Sequence, residues 1–339
     1  MRSIAVMNQK GGVGKTTTSV NVAAALARSG RSVLLIDMDP QAHASLHLGV
    51  EPQEEFLSVY DVLTDDTPIS EVKREVAPNL WLVPSHLDLA AAEVELAGVV
   101  GREFILRDKL AADRGAYNYL VIDCPPSLGV LTLNALVAVH EIIIPLQPHF
   151  LALHGLSKLL QTVDLVSRRL NNDLRLTGIV LCLYESGTTL AKEVAGDVMG
   201  FFEHERNQGT GTPWFGARVY DTKIRRNIRL AEAPSYGKSI FDYDAKSKGA
   251  EDYLALTREI TAQAGNSGRT GETAGSATDG AEPSGDGAEP SGGQAQDIQG
   301  QEQNQTASGN STGTESPSQE DPGESRGFFG PDPLQMETD

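Results

Sequence analysis

The chain has 339 residues, with 46 acidic and 28 basic side chains, a formal charge of −18 and only two cysteines. That length suits one large α/β domain or two small ones, and two isolated thiols, Cys124 and Cys182, outside any C-x-x-C spacing exclude a disulfide framework and point to a reducing compartment. The acidic balance argues against nucleic-acid binding, but it is uneven: from residue 263 onward fourteen acidic residues face only Arg269 and Arg326, so residues 1–262 carry only −6.

The first apolar run, Ile4-Ala5-Val6-Met7, reads as a buried strand and leads into K-G-G-V-G-K-T-T at residues 10–17. The Gly14-Lys15-Thr16 core matches the end of the G-x-x-x-x-G-K-[ST] phosphate-binding pattern, although Gln9 holds the place of its first glycine. In such a loop, glycines let backbone N–H groups turn toward phosphate oxygens. Lys15 then reaches the terminal phosphates, and the Thr16 hydroxyl ligates Mg²⁺. Lys10 adds a cation that an ordinary phosphate loop lacks. Residues 16–28 are rich in Ala, Val and Leu and stop before Gly30, the pattern of a helix with a glycine after its end.

A second apolar run, Val33-Leu34-Leu35-Ile36, ends in Asp37-Met38-Asp39-Pro40, and Leu120-Val121-Ile122 ends in Asp123-Cys124-Pro125-Pro126. Carboxylates at the ends of parallel strands beside a phosphate loop stand where a metal ion and attacking water are held. Asp also commonly caps turns, so Asp37 and Asp39 have that simpler use as well. His43 and His47 are four apart, but with no thiol or carboxylate in register they are not read as a metal site.

Strand-like runs recur at 3–7, 33–37, 80–84, 119–123, 141–146 and 176–183, and helices are expected over 88–110, 153–170, 190–202 and 250–261. This alternation predicts an α/β fold, a mostly parallel twisted sheet with helices on both faces, over residues 1–262. Residues 263–339 are Gly-, Ser-, Glu- and Pro-rich, and D-G-A-E-P-S-G at 279–285 repeats at 286–292. A segment of that composition is expected to be a disordered acidic tail. Near its end, Phe328-Phe329 forms a small apolar island. No apolar run approaches the roughly 18 residues that span a bilayer, and no secretory signal precedes the first strand, so a cytoplasmic protein without membrane attachment is expected.

K-G-G-V-G-K-T-T, D-M-D-P-Q and L-V-I-D-C-P-P-S, followed by R-N-I-R-L-A-E-A-P-S at residues 226–235, resemble the ParA family of partition ATPases, within the deviant phosphate-loop class that also holds MinD. The resemblance covers about residues 2–262. It implies an ATP- and Mg²⁺-dependent ATPase that forms an ATP-sandwich homodimer, binds DNA without sequence preference and responds to a ParB-like centromere-binding partner on the nucleoid.

Carried over by position, ATP binding falls to Lys10, Gly11, Gly12, Val13, Gly14, Lys15, Thr16, Thr17 and Asn227. Lys10 is the lysine that reaches the partner subunit's nucleotide, and Gly12 lies where two loops face each other. Asp39 positions the hydrolytic water, with Lys10 and Lys15 beside it in catalysis. Thr16, Asp39 and Asp123 attend the metal, and Asp37 supports them. Lys192, Lys223, Arg225, Arg226 and Arg229 are the DNA-binding candidates, with Lys246 and Lys248 as neighbours. Gly187 stands where many members have arginine, which weakens the DNA expectation. A MinD-like membrane ATPase or one positioning a protein cargo is the alternative, although an acidic tail is unlike the basic amphipathic helix of the membrane-bound class.

Overall fold

The computed structural model describes residues 1–267 apart from 52–55, 114, 151 and 210. Eight strands are found among them: β1 (Arg2–Val6), β2 (Val33–Asp37), β3 (Arg74–Ala77), β4 (Leu80–Val83), β5 (Tyr119–Asp123), β6 (Glu141–Leu146), β7 (Arg175–Leu181) and β8 (Arg218–Val219). They form one sheet in the order β3-β4-β2-β5-β1-β6-β7-β8. Every neighbouring pair is parallel except β3 with β4. The runs V-L-L-I-D and Y-L-V-I-D are buried along their whole length, as strands covered on both faces must be.

The helices are α1 (Lys15–Arg28), α2 (His43–His47), α3 (Val59–Thr64), α4 (Ile69–Val72), α5 (Leu89–Glu95), α6 (Ile105–Ala112), α7 (Val130–Ala138), α8 (Ala152–Arg169), α9 (Thr189–Gln208), α10 (Ile228–Glu232), α11 (Ile240–Tyr243) and α12 (Lys248–Ser267). On one face of the sheet, α1, α11 and α12 bury Val20, Leu26, Ile240 and Leu256 against Ile4, Val6, Leu35 and Val121. On the other, Val62, Leu106, Leu136, Leu160 and Val198 from α3, α6, α7, α8 and α9 pack on Leu34, Ile36, Ile122 and Ile144. Helices on both faces of a mostly parallel sheet agree with the fold expected from the sequence.

Three expectations are corrected. The helix over residues 88–110 is broken into α5, short 3₁₀ turns at Leu96–Gly98 and Arg102–Phe104, and α6. Gly101 takes φ 75°, a left-handed conformation that ends helical hydrogen bonding, and Val100 beside it is fully exposed. The two edge strands escaped the pattern because β3 is half exposed and β8 is two residues long. Finally, α12 carries helical backbone from Lys248 through Ser267, where a shorter helix over 250–261 is expected from the sequence. The duplicated acidic segment, the Phe328-Phe329 island and the expected disorder from 268 onward lie outside the described residues.

Register sets the site. Val6 pairs with Asp123 across β1 and β5, and Asp37 pairs with the same Asp123 across β2 and β5. The loop after β1 therefore leaves the sheet beside both carboxylate-bearing strand ends.

Candidate nucleotide site

The loop closes through two left-handed glycines. Gly12 sits at φ 73° and Gly14 at φ 92°, where Gly14 is also the N-cap of α1. A Cβ at Gly14 would lie 3.5 Å from Cys182 Cβ, so the loop presses against the end of β7 there. At Gly12 the space is open, so what a side chain would meet within this subunit is backbone strain. Val13 is buried and anchors the loop between them. The result is a helix N-terminus with its free N–H groups and positive dipole end facing the cavity.

The two lysines occupy different environments. Lys15 is 7% exposed, and its ammonium donates to the Lys10 carbonyl at 3.1 Å. Burial lowers its pKa, while Asp123 and Asp39 oppose that shift. Lys10 is exposed, and its ammonium contacts Nε2 of His149 in the loop between β6 and α8.

Asp123, completely buried at the end of β5, accepts from Thr16 Oγ1 at 2.8 Å and from Ser19 Oγ at 2.7 Å. Asp37 accepts from the Ser45 amide and hydroxyl, both at 2.8 Å, and from the Asp39 amide at 3.2 Å. It thereby ties α2 to the end of β2. Burial raises the pKa of both carboxyls; Asp37 raises Asp123 further, and Asp39 adds repulsion to each. Asp39 lines the cavity and accepts from the Gln41 amide at 3.0 Å, which orients its carboxylate.

These groups border a cavity of about 960 Å³. Its lining includes the loop residues Gly11, Gly12, Gly14, Lys15, Thr16 and Thr17 and the apolar side chains of Leu183, Ile224, Leu230, Pro234 and Tyr253. Asn227 also lines the cavity and is the N-cap of α10, its Oδ1 accepting from the Arg229 amide at 2.8 Å. A helix N-terminus with a lysine beside it suits phosphate, and apolar side chains suit a flat heteroaromatic ring. Among the described residues no three acidic, His or Cys side chains converge on a metal position. Thr16, backed by Asp123, with Asp39 in the lining, could supply the few protein oxygens that Mg²⁺ takes when phosphate and water complete its shell.

The cations read as DNA contacts are mostly paired. Arg225 binds Asp252, with Nε to Oδ2 at 3.0 Å; Arg226 binds Glu185 at 2.7 Å; and Arg229 binds Glu232 at 2.9 Å. Lys223 lies 5.2 Å over the Tyr184 ring, and Lys248 pairs with Glu251 at 3.0 Å. Lys192 is exposed in the first turn of α9. The pairing of Tyr184 with Arg225 brings Lys223, Arg225 and Arg226 to the end of β7 beside α12.

Sequence reasoning passed over Ser19, Ser45, Asn8 and His149. Ser19 had a signal, since it lies one helical turn after Lys15 on the strand side of α1. The contacts of Asn8 and His149 cross about 140 residues of sequence and leave no local pattern.

A glycine loop at the end of a central parallel strand, a lysine and threonine opening its helix, and a buried carboxylate on the neighbouring strand define a P-loop NTPase with a second lysine in the loop. The comparisons agree. Residues 1–176 match the model of the AAA domain family. The chain is 46% identical over 260 residues to the sporulation initiation inhibitor protein Soj of Bacillus subtilis, covering 76% of this chain and 98% of that protein. It is also 46% identical over 260 residues to the chromosome partitioning protein ParA of Myxococcus xanthus, covering 76% and 87%. Among solved structures it resembles cobyrinic acid a,c-diamide synthase of Mycobacterium smegmatis with bound ATP analog and magnesium, at 37% identity and TM-score 0.65 over 79% of this chain and 97% of that one. The chain belongs to the ParA/Soj family of chromosome-partitioning P-loop ATPases.

Proposed function

We propose that the chain is an ATP-dependent dimerising switch for chromosome or plasmid partition, which binds DNA without sequence preference in its ATP state and lets go after hydrolysis stimulated by a ParB-like partner. The observation that carries this reading is the division between its two loop lysines, Lys15 buried in the cavity and Lys10 exposed at its rim.

In this mechanism the loop amides and Lys15 hold the β- and γ-phosphates, and the apolar lining with Asn227 holds adenine. Thr16, kept in place by Asp123, and Asp39 would hold Mg²⁺, which would offset negative charge at the phosphates. Asp39 orients the attacking water. Lys10 crosses to the second subunit's nucleotide, where a cation at the transferred phosphoryl group acts as an arginine finger does. ATP thereby joins two subunits, and its hydrolysis separates them. Lys192, Lys223, Arg225, Arg226 and Arg229 supply the phosphate contacts to DNA. The nucleoid is then the working location.

The test is DNA binding with ATP and with ADP across a salt series, with Asp39→Ala holding the ATP state. Binding to unrelated sequences that needs ATP and weakens steeply with salt is the expected result. The carboxylate partners of Arg225, Arg226 and Arg229, together with Gly187, favour a second reading in which the same switch positions a protein cargo or works at a membrane. No DNA binding by trapped Asp39→Ala would select that reading.

A further inference from the structure

Lys10 is exposed but its ammonium is not free: it contacts Nε2 of His149, 139 residues away in sequence. Both ends of this contact are fixed to the scaffold. On one side, the Asn8 amide donates to the Pro145 carbonyl in β6 at 2.7 Å, while its Oδ1 accepts from the Lys10 amide at 3.0 Å. Asn8 thus ties the loop's backbone at Lys10 to the strand that leads to His149. On the other side, the His149 carbonyl accepts from the Ala152 amide at 2.8 Å, which closes the turn into α8. A third tie comes from Lys15, which donates to the carbonyl of Lys10 itself.

An ammonium can only donate, so the imidazole nitrogen facing Lys10 accepts and the ring is neutral. The shift of the ring agrees with this: burial first, and the Lys10 charge second, lower the His149 pKa. The Lys10 charge lowers the ring's basicity because a second cation at this position would repel it.

From this geometry we propose that His149 is a positioning residue that holds Lys10 in its own subunit, as a latch that must open before the lysine can serve a second subunit's nucleotide. The inference rests on the dimer reading above. The latch sets the threshold for closure, because trans engagement of Lys10 requires loss of one charge-assisted hydrogen bond. Such a bond at an exposed site shifts an equilibrium by about two- to tenfold.

Two measurements test it. The first is the His149 imidazole pKa by NMR in nucleotide-free protein, for wild type and Lys10→Ala. The expected wild-type value lies below the ordinary histidine value of about 6.5 and rises in Lys10→Ala. An unchanged value means that the contact does not form in solution, and overturns the proposal. The second is ATP-dependent dimerisation by sedimentation for wild type, His149→Ala and His149→Glu. His149→Ala should dimerise at about two- to tenfold lower protein concentration, whereas His149→Glu, which offers Lys10 an ion pair, should need more protein than wild type. Wild-type dimerisation that neither substitution alters overturns the latch alone. Monomers with ATP in every form overturn the dimer reading together with the latch.

Discussion

At the scale of single residues, the proposed mechanism separates groups that hold nucleotide from groups that act on it. Lys15→Ala removes the buried ammonium facing the phosphates and is expected to abolish both ATP binding and turnover. Asp39→Ala is expected to keep ATP binding while hydrolysis falls by about 10²–10⁴-fold, the usual contribution of a positioned acid–base group. Equilibrium nucleotide binding beside single-turnover hydrolysis separates the two outcomes. His47 gives a pH signature of another kind. It is 2% exposed, its Nε2 has no hydrogen-bond partner, and burial lowers its pKa to about 4. The unfolded chain takes up this proton near pH 6.5, whereas the folded ring resists it. The stability that a neutral His47 contributes is therefore complete above about pH 6.5 and is lost as pH falls toward 4, by on the order of 3 kcal/mol. Denaturant unfolding of wild type and His47→Leu across that window should show a difference that grows on acidification and levels off below it.

At the scale of elements, two contacts decide whether the strand ends meet correctly. Ser45 gives both its amide and its hydroxyl to buried Asp37, and its Oγ also accepts from the Ser85 amide at 3.0 Å. The five-residue helix α2 is too short to be stable alone, so this carboxylate holds it against β2. Ser45→Ala leaves Asp37 and the Ser85 amide each one partner short and should destabilise the protein by roughly 1–3 kcal/mol, read in the denaturation midpoint. In β7, Gly178 lies under the Tyr220 ring, and an added Cβ would stand 2.4 Å from Cε2. Because Tyr220 is buried it cannot swing away, and Gly178→Ala should cost roughly 1–3 kcal/mol by overpacking. The loss should appear in the melting temperature of the protein without nucleotide, since the collision is remote from the phosphate loop.

At the scale of the whole molecule, nucleotide binding and folding are linked. The cavity is lined by the segments that follow β1, β2, β5 and β7 and by residues of α1, α2, α10 and α12, so a ligand there binds only the folded chain. Mg²⁺–ATP at a hundred times its dissociation constant should add about 2.7 kcal/mol of stability, or roughly 5–10 °C in melting temperature for a domain of this size. Chelating the metal should remove most of that gain, and Lys15→Ala should abolish it. Charge acts at this scale as well. Residues 1–262 carry −6 of the chain's −18, so that part of the chain is far less acidic than the total implies. Among the described residues no helix is long and apolar enough to cross a membrane.

The sequence by itself determined the phosphate loop, the carboxylates at the ends of β2 and β5, the alternating α/β architecture and the family. Each is written in contiguous residues: a glycine pattern that only one backbone path satisfies, or an apolar run ending in Asp. Its errors fell where local pattern is weak. Gly101 broke the helix over 88–110, β3 and β8 were too short or too polar to register, and α12 ran past its expected end. Only the tertiary structure decided that Asp37 serves Ser45 and α2, that Ser19 shares Asp123 with Thr16, and that Arg225, Arg226 and Arg229 have carboxylate partners. It alone joined Lys10 to His149. These pairings follow from strand order and register, which bring distant residues within hydrogen-bond reach, and a linear pattern of hydrophobic and polar residues does not encode which distant pairs will meet.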